Sequence, residues 1–370
     1  MVHAQTIIQW FEQFCPKHLA EDWDNVGLQV GSLQKKVSKV LVTLDVTREV
    51  AEEAIDEGAE LIIAHHPIIF RPLKHLRTDD EAGQILKKLI QHDITVYIAH
   101  TNLDITAGGV NDWLAESLAL EETEVLSPTY HEQLKKLVVF VPVDHEQAVR
   151  QALGDAGAGH IGEYSHCSFR AEGTGAFLPL EGANPFIGEQ GKVEEVHEVK
   201  VETIIPASLQ SKVVRAMLKA HPYEEAAYDI YPLDLKGETY GLGRVGQLTE
   251  EMTLEAFSHY VKDRLDVPQA RIIGDKARMV KKIAILGGSG SKFIKKAAFK
   301  GADVFVTGDV DFHSAHDALM NNVAVVDPGH HIEKVMKQGV QNVLEQAAQQ
   351  HKAELTVLRS QVNTEPFQFI

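Results

Sequence analysis

The feature that most constrains this chain is that it resembles itself. Residues 39–66, KVLVTLDVTREVAEEAIDEGAELIIAHH, line up without large gaps with residues 282–313, KIAILGGSGSKFIKKAAFKGADVFVTGDVDFH. Each segment reads as an apolar strand, a turn, a helix, a glycine (Gly58 or Gly301), a second apolar strand and a polar cluster. TVYIAHTNLD at 95–104 is then paralleled by NVAVVDPGHHIE at 322–333, and NVGLQVGSL at 25–33 by YGLGRVGQL at 240–248. Three matched segments in the same order indicate an internal duplication. Strands alternating with helices imply a parallel sheet with helices on both faces. The expected fold class is therefore α/β, a duplicated core with its first half over 1–136 and its second over 234–370. In the first half Thr47 is a plausible N-cap, with Glu49 and Glu52 near the positive end of the helix that Gly58 closes.

Between the halves lies an insertion, 137–233, with a repeat of its own. VVFVPVDHEQAVRQALGDAG and VETIIPASLQSKVVRAMLKAHP are each a strand, a proline or turn, and a helix. EYSHCSF (163–169) and EEAAYDIYPL (224–233) are the strands expected to follow. Two βαβ units in tandem give a ferredoxin-like α+β domain. The glycine- and proline-rich stretch Gly173–Gly191 reads as a long loop. His221, Tyr223 and Glu224 could bind a ligand, or be a helix stop and a strand start with Pro222 breaking the helix, the reading the sequence favours.

The chemistry gathers at strand ends, where open α/β sheets bind ligands. His65 and His66 follow the apolar run Leu61–Ala64, and Pro67 stops the pairing. Neighbouring side chains of an extended chain point opposite ways, which suits two nearby metals better than one. The first half offers His65, His66 and Asp104. The second offers His330, His331 and Glu333, with Asp309, Asp311 and His313 behind them. His330 and Glu333 are three apart and can share one face of a helical turn. Imidazole with carboxylate suits zinc, iron or manganese. Only Cys15 and Cys167 are present, far apart, which argues against a disulfide framework or a closed thiolate site.

At 370 residues the chain exceeds one typical domain. Its net charge of −17 argues against a general nucleic-acid or anionic-membrane surface, though not against a small anion held locally by metal. Without a basic leader, a cleavage site or a long apolar span, it is expected in the cytoplasm.

The pattern AHHP, then HTNLD, then GHHIE after VVDP, interrupted by an insert carrying PFIG, resembles the NGG-interacting-factor-three-like family. Its members are often called GTP cyclohydrolase I type 2 homologues. The resemblance covers nearly the whole chain, and the insert looks like the PII- or CutA-like domain of longer bacterial members. It implies intertwined three-layer α/β/α halves, a dinuclear centre at their interface and toroidal homohexamers. Carried over, the metal ligands are His65, His66, Asp104, His330 and Glu333, holding two divalent ions, zinc first, with iron or manganese as alternatives. Some members space the last His and Glu four apart. Here the spacing is three, which leaves His331 as a substitute for, or a support to, His330.

Two functions follow as expectations. One is a metal-dependent hydrolase of a nucleotide-like substrate. With GTP, water would attack C8 and open the imidazole ring, and His100 or His313 would shuttle the proton. GGSGSK at 287–292 could hold a phosphate or be an ordinary tight turn. A phosphoesterase is the alternative within that class. The other function is a non-enzymatic metal-binding assembly whose insert senses a metabolite or docks a partner.

Overall fold

The structure, a computed structural model, describes residues 1–368. It divides into two compact units, Met1–Tyr130 with Tyr240 onward, and His131–Thr239. The two expected halves of the core thus form one unit. The second unit begins earlier and ends later than the expected 137–233, because two long strands run unbroken through both boundaries.

In chain order the first half contains β1 (Val2–His3), α1 (Ala4–Phe14), β2 (Gly27–Val30), β3 (Lys36–Val37), β4 (Lys39–Thr43), α2 (Arg48–Glu57), β5 (Leu61–Ala64), α3 (Glu81–Gln91), β6 (Thr95–Ile98), α4 (Thr101–Ile105) and α5 (Val110–Ser117). β7 (Glu121–Pro142) leads into the second unit, which adds α6 (Glu146–Asp155), β8 (Ser168–Phe177), β9 (Glu194–Pro206) and α7 (Gln210–Ala220). β10 (Tyr228–Thr253) returns. Then come α8 (Leu254–Leu265), β11 (Arg271–Ile273), β12 (Met279–Ser289), α9 (Ile294–Phe299), β13 (Val304–Gly308), α10 (Phe312–Met320), β14 (Ala324–Asp327), a 3-10 turn (His330–Val335), α11 (Met336–Gln350) and β15 (Thr356–Arg359).

The repeat is visible as two parallel trios, β4-β5-β6 and β12-β13-β14. Local signals set their helices. The Thr47 hydroxyl accepts from the Val50 N–H at the start of α2, and Gly58, at φ +66°, closes it in the left-handed region. The edges of the trios differ. β2 lies antiparallel on β6, the third strand of its trio, while its sequence counterpart in β10 lies antiparallel on β12, the first of the other. The place beside β4 is taken, in parallel, by β15 from the far end of the chain. A short sequence specifies an extended segment, but the open sheet edge it joins is a long-range matter.

The side chains of each trio alternate between two layers. Val40 and Val42 of β4, with Ile283 and Ile285 of β12, enter one shared core with Ile7 and Phe11 of α1, Leu114 of α5, Phe257 of α8 and Val340 of α11. Leu41 faces the other way, onto α2 and α3, and Ala284 faces α9 and α10. Arg244, 4% exposed, joins the halves: its guanidinium donates to both oxygens of Asp112, at 2.5 and 2.6 Å.

In the second unit the order is strand, helix, strand, strand, helix, strand. Its sheet runs β10-β7-β9-β8, with β7 and β8 both antiparallel to β9. Leu137, Val139, Val149, Val201, Val213 and Met217 form its own core. β8 starts later than EYSHCSF suggests, and it continues through Phe177 inside the expected loop, because it pairs with β9 from Ser168 opposite Thr203 to Phe177 opposite Glu194. The remaining connection is 178–193. No helix among the described residues is long and apolar enough to cross a membrane.

Candidate metal centre

β5 delivers the first two candidate ligands. Leu61–Ala64 is fully buried and carries the chain to the sheet's carboxyl edge. His65 and His66 lie just past the last strand residue, where their amides donate to the Leu44 carbonyl. The alternation of an extended chain has lapsed there. Both rings therefore enter one cluster, with centroids 5.2 Å apart, rather than pointing opposite ways. β6 ends at the same edge and brings His100, then Asp104 on α4. In the second half, β14 ends at Asp327, which accepts from the Gly329 N–H, and the 3-10 turn carries His330 and Glu333 on one face.

Glu333 is the hub. Its Oε2 lies 3.0 Å from His66 Nε2, 3.1 Å from His330 Nε2 and 3.8 Å from His65 Nε2. Asp104 Oδ1 lies 3.4 Å from His65 Nε2. The His100 ring is 5.3 Å from that of His65 and 5.8 Å from that of His66. Gly288, at φ +64°, makes room: a Cβ there would meet Glu333 Oε1 at 2.5 Å. Gly287 also packs on Glu333, so these glycines of GGSGSK serve the carboxylate as well as the turn.

Four histidines share one arrangement. His65 Nδ1 donates to the Ala99 carbonyl at 2.8 Å, His66 Nδ1 to Asp45 at 2.7 Å, His100 Nδ1 to Asp24 at 2.9 Å and His330 Nδ1 to Asp309 at 2.7 Å. A proton fixed on Nδ1 makes Nε2 the free donor atom of a neutral ring, as metal-ligating histidines require. His65 Nε2 and Asp104 Oδ1 are buried without a hydrogen-bond partner. That orphaned pair, the oxygen and nitrogen donors and the glycine cradle all fit a divalent metal ion. His65, His66 and Glu333 alone place three ligand atoms within 4.8 Å of one another, enough to hold an ion.

Without metal the cluster holds protons. Burial works against charge on His65, but the Asp104 and Glu333 carboxylates outweigh it and hold its imidazole well above the ordinary value. His66 is raised similarly, by Asp45 and Glu333 against its burial. Glu333 pushes His330 up to about 9. Burial alone would raise Glu333, yet the three histidines hold it well below the usual carboxylate range. Asp24, despite burial, falls to about 2 through its bonds from His100 and Thr101.

The other candidates lie apart. His331 Nε2 faces the Thr364 hydroxyl at 3.4 Å, so it is His330 whose ring meets Glu333. His313 is exposed, edge-on to Phe312 at the start of α10. Asp311 caps that helix, accepting from the His313 and Ser314 amides. The anchors Asp24 and Asp45 escape motif reading. Their only signal is that each stands at a turn or strand end, Asp45 directly after the β4 strand. Asn111 gives no signal at all, though it spans the halves by donating to the Asp104 carbonyl and accepting from the Gly287 N–H.

The fold and this donor set define a mixed α/β protein with an imidazole–carboxylate cluster able to hold a metal ion. A family model described as Duf34/NIF3 (NGG1p interacting factor 3) matches residues 2–366, and the chain belongs to that family. It is 56% identical over 369 residues to a Bacillus subtilis protein named GTP cyclohydrolase 1 type 2 homolog, covering 100% of this chain and 99% of the relative. A Listeria monocytogenes protein of the same name is 47% identical, with 97% and 96% covered. Among solved structures, a Bacillus cereus protein related to NIF3 superposes with a TM-score of 0.94 at 57% identity, covering 99% of each chain. A Staphylococcus aureus protein gives 0.76 at 35% identity, covering 100% of this chain and 99% of that one.

Proposed function

We propose that the cluster holds two divalent metal ions, zinc first and iron or manganese as alternatives, and that the chain is a metal-dependent hydrolase of a nucleotide-like molecule. One observation carries the reading: four histidines anchored through Nδ1 surround two carboxylates, Asp104 and Glu333. His65, His66, Asp104, His330 and Glu333 would be the ligands. Divalent ions supply Lewis acidity, lowering the pKa of water and polarising a substrate oxygen. The chain's own contribution is orientation and proton handling. Asp24 holds the His100 proton on Nδ1, which leaves Nε2 to accept a proton from attacking water and return it to the leaving nitrogen or oxygen. The name borne by the relatives supports purine ring opening at C8 of GTP as the first chemistry to test. A phosphoesterase uses the same groups on a different bond.

A second reading keeps the metal and lacks turnover: a toroidal homohexamer whose ferredoxin-like, PII- or CutA-like insert senses a metabolite. The insert's connectivity and its separate cavity support it. Incubating metal-loaded protein with GTP, other nucleotides and a generic phosphodiester separates the two. Product release from any of them supports the hydrolase. None, with metal bound, supports the assembly.

A further inference from the structure

The second unit has a cavity of about 600 Å³, built wholly from its own residues. That is the size of a small-molecule pocket. Its walls are aromatic: Phe140, Phe177, Phe186 and Tyr223 line it. The Tyr223 ring stands 5.9 Å from that of Phe177 and 6.3 Å from that of Phe186. Pro179, Ala183, Pro185, Phe186 and Ile187 of the 178–193 connection form one of its walls. The Asn184 N–H donates to Glu224 at 2.9 Å, and Phe186 lies edge-on to His145 at 5.3 Å.

The charge inside is predominantly negative. Glu172, Glu198, Glu224 and Glu225 line the cavity against a single cation, Lys200. Lys200 is already paired, with Glu202 at 2.5 Å, and Glu172 faces His197 at 3.5 Å. Glu198 is different. It is only 9% exposed, and among the described residues no cation lies within ion-pair distance of it. Gly175 opposite has no side chain to cover it; a Cβ there would fall 2.1 Å from Glu198 Oε2. Beside it the Tyr223 hydroxyl is buried with no hydrogen-bond partner. Burial, then the charge of Glu198 and the hydroxyl's close approach to that carboxylate, push it up to about 12. Buried carboxylates are normally paired, and buried hydroxyls normally bonded. Here the carboxylate has no cation beside it and borders an aromatic cavity, and a bound cation meets that need while its charge is attracted by the ring faces.

We propose that this cavity is a binding site for an organic cation: an ammonium- or amidinium-bearing small molecule with a flat, apolar body. The cationic head pairs with Glu198 under the Tyr223 hydroxyl, and the body lies between Phe177, Phe186 and Tyr223. The site is independent of the histidine cluster.

The test uses the full chain and calorimetric titration with 2-phenylethylammonium and benzamidinium, against neutral 2-phenylethanol and anionic 3-phenylpropanoate. Both cations should bind saturably, about tenfold or more tighter than the alcohol, as one charge-assisted contact implies. The anion should bind more weakly still. Glu198→Gln should lose that advantage and leave alcohol binding unchanged, while Phe186→Ala weakens every aromatic probe. Should Glu198→Gln fail to fold by circular dichroism, Tyr223→Phe replaces it, with a smaller loss confined to the cations. His65→Ala should bind the probes like the parent, which separates this site from the metal reading. The assignment is overturned by absence of saturable cation binding, by equal binding of alcohol and cations, or by cation affinity indifferent to both Glu198→Gln and Tyr223→Phe.

Discussion

Nε2 of His66 lies 3.0 Å from Oε2 of Glu333, although 267 residues separate them in the chain. The contact joins the carboxyl end of a strand in the first half to a turn after a strand in the second. The imidazole–carboxylate cluster therefore belongs to the core as a whole and to neither half alone.

Purified protein should carry about two transition-metal ions per chain, since the ligand set suffices for two open sites. His65→Ala should lose metal and keep its circular dichroism spectrum, because the sheet core beneath it is complete without the imidazole. Elemental analysis finding no metal even after reconstitution would remove the metal reading.

Asp45 touches the cluster only through the Nδ1 of His66. Asp45→Ala should weaken metal binding about 10- to 100-fold in a chelator competition, the usual effect of removing such an anchor. Gly288→Ala should act by another route, adding a Cβ where Glu333 Oε1 lies and costing about 1 kcal/mol of stability for a left-handed alanine. Parental affinity in both variants would mean that neither anchoring nor the cradle governs the site.

Metal must displace the proton that His330, raised to about 9, holds at neutral pH, and it competes with the protons that the carboxylates favour on His65 and His66. Binding at about pH 7 should therefore release protons, read as a dependence of the calorimetric heat on buffer ionisation enthalpy. The same shifts fix the pH dependence of the metal-free fold. His330, ordinarily near 6.5, is raised to about 9, so its contribution to stability is full below about 6.5 and is lost as pH rises through about 9. Glu333 is shifted downward, so its contribution is present above about 4.5 and is lost as pH falls toward its lowered value. The metal-free Tm should fall between about pH 7 and pH 9.5, and the metal-loaded Tm should fall less. Equal declines would show that these groups do not control stability there.

The inserted unit has its own core, so it should be separable. The rings of Tyr130 and Tyr240, which flank it, are 6.0 Å apart, a gap that a short Gly–Ser bridge spans. Deleting 131–239 should leave a soluble protein that still binds metal and has lost cation binding. An insoluble or metal-free product would show that the core depends on the insert.

Light scattering should give the mass of a symmetric homohexamer. Glu333→Gln should lower turnover far more than substrate affinity, as expected of a group acting in the transition state. A monomer at micromolar concentration counts against the ring. Unchanged turnover with metal still bound takes Glu333 out of the chemistry.

The sequence by itself determined the elements and their grammar. The strand at Leu61–Ala64, the Thr47 cap, the Gly58 stop and the repeat at Lys282 depend on periodicity and turn chemistry within a few residues, and these can be read locally. Strand ends in such a sheet share one edge, which is why His65, His66 and Asp104 could be set beside His330, His331 and Glu333 in advance, and only the structure turns His330 rather than His331 toward Glu333. Only the tertiary structure decided the rest. NVGLQVGSL and YGLGRVGQL are alike, yet they join opposite edges of their trios, because the place beside β4 is filled by β15 from the far end of the chain. His65 and His66 turn into one cluster because the strand stops before them. Asp24, Asp45 and Asn111 matter through partners 76, 21 and 176 residues away, His100, His66 and Gly287. Glu198 is an ordinary strand residue in sequence, and it becomes a largely buried carboxylate with no cation beside it only where β8, the 178–193 connection and Tyr223 line the same cavity. Local free energy selects a helix or a strand. Which side chains meet across the fold is set by how the elements bury their apolar faces together, and no short stretch of sequence contains that information.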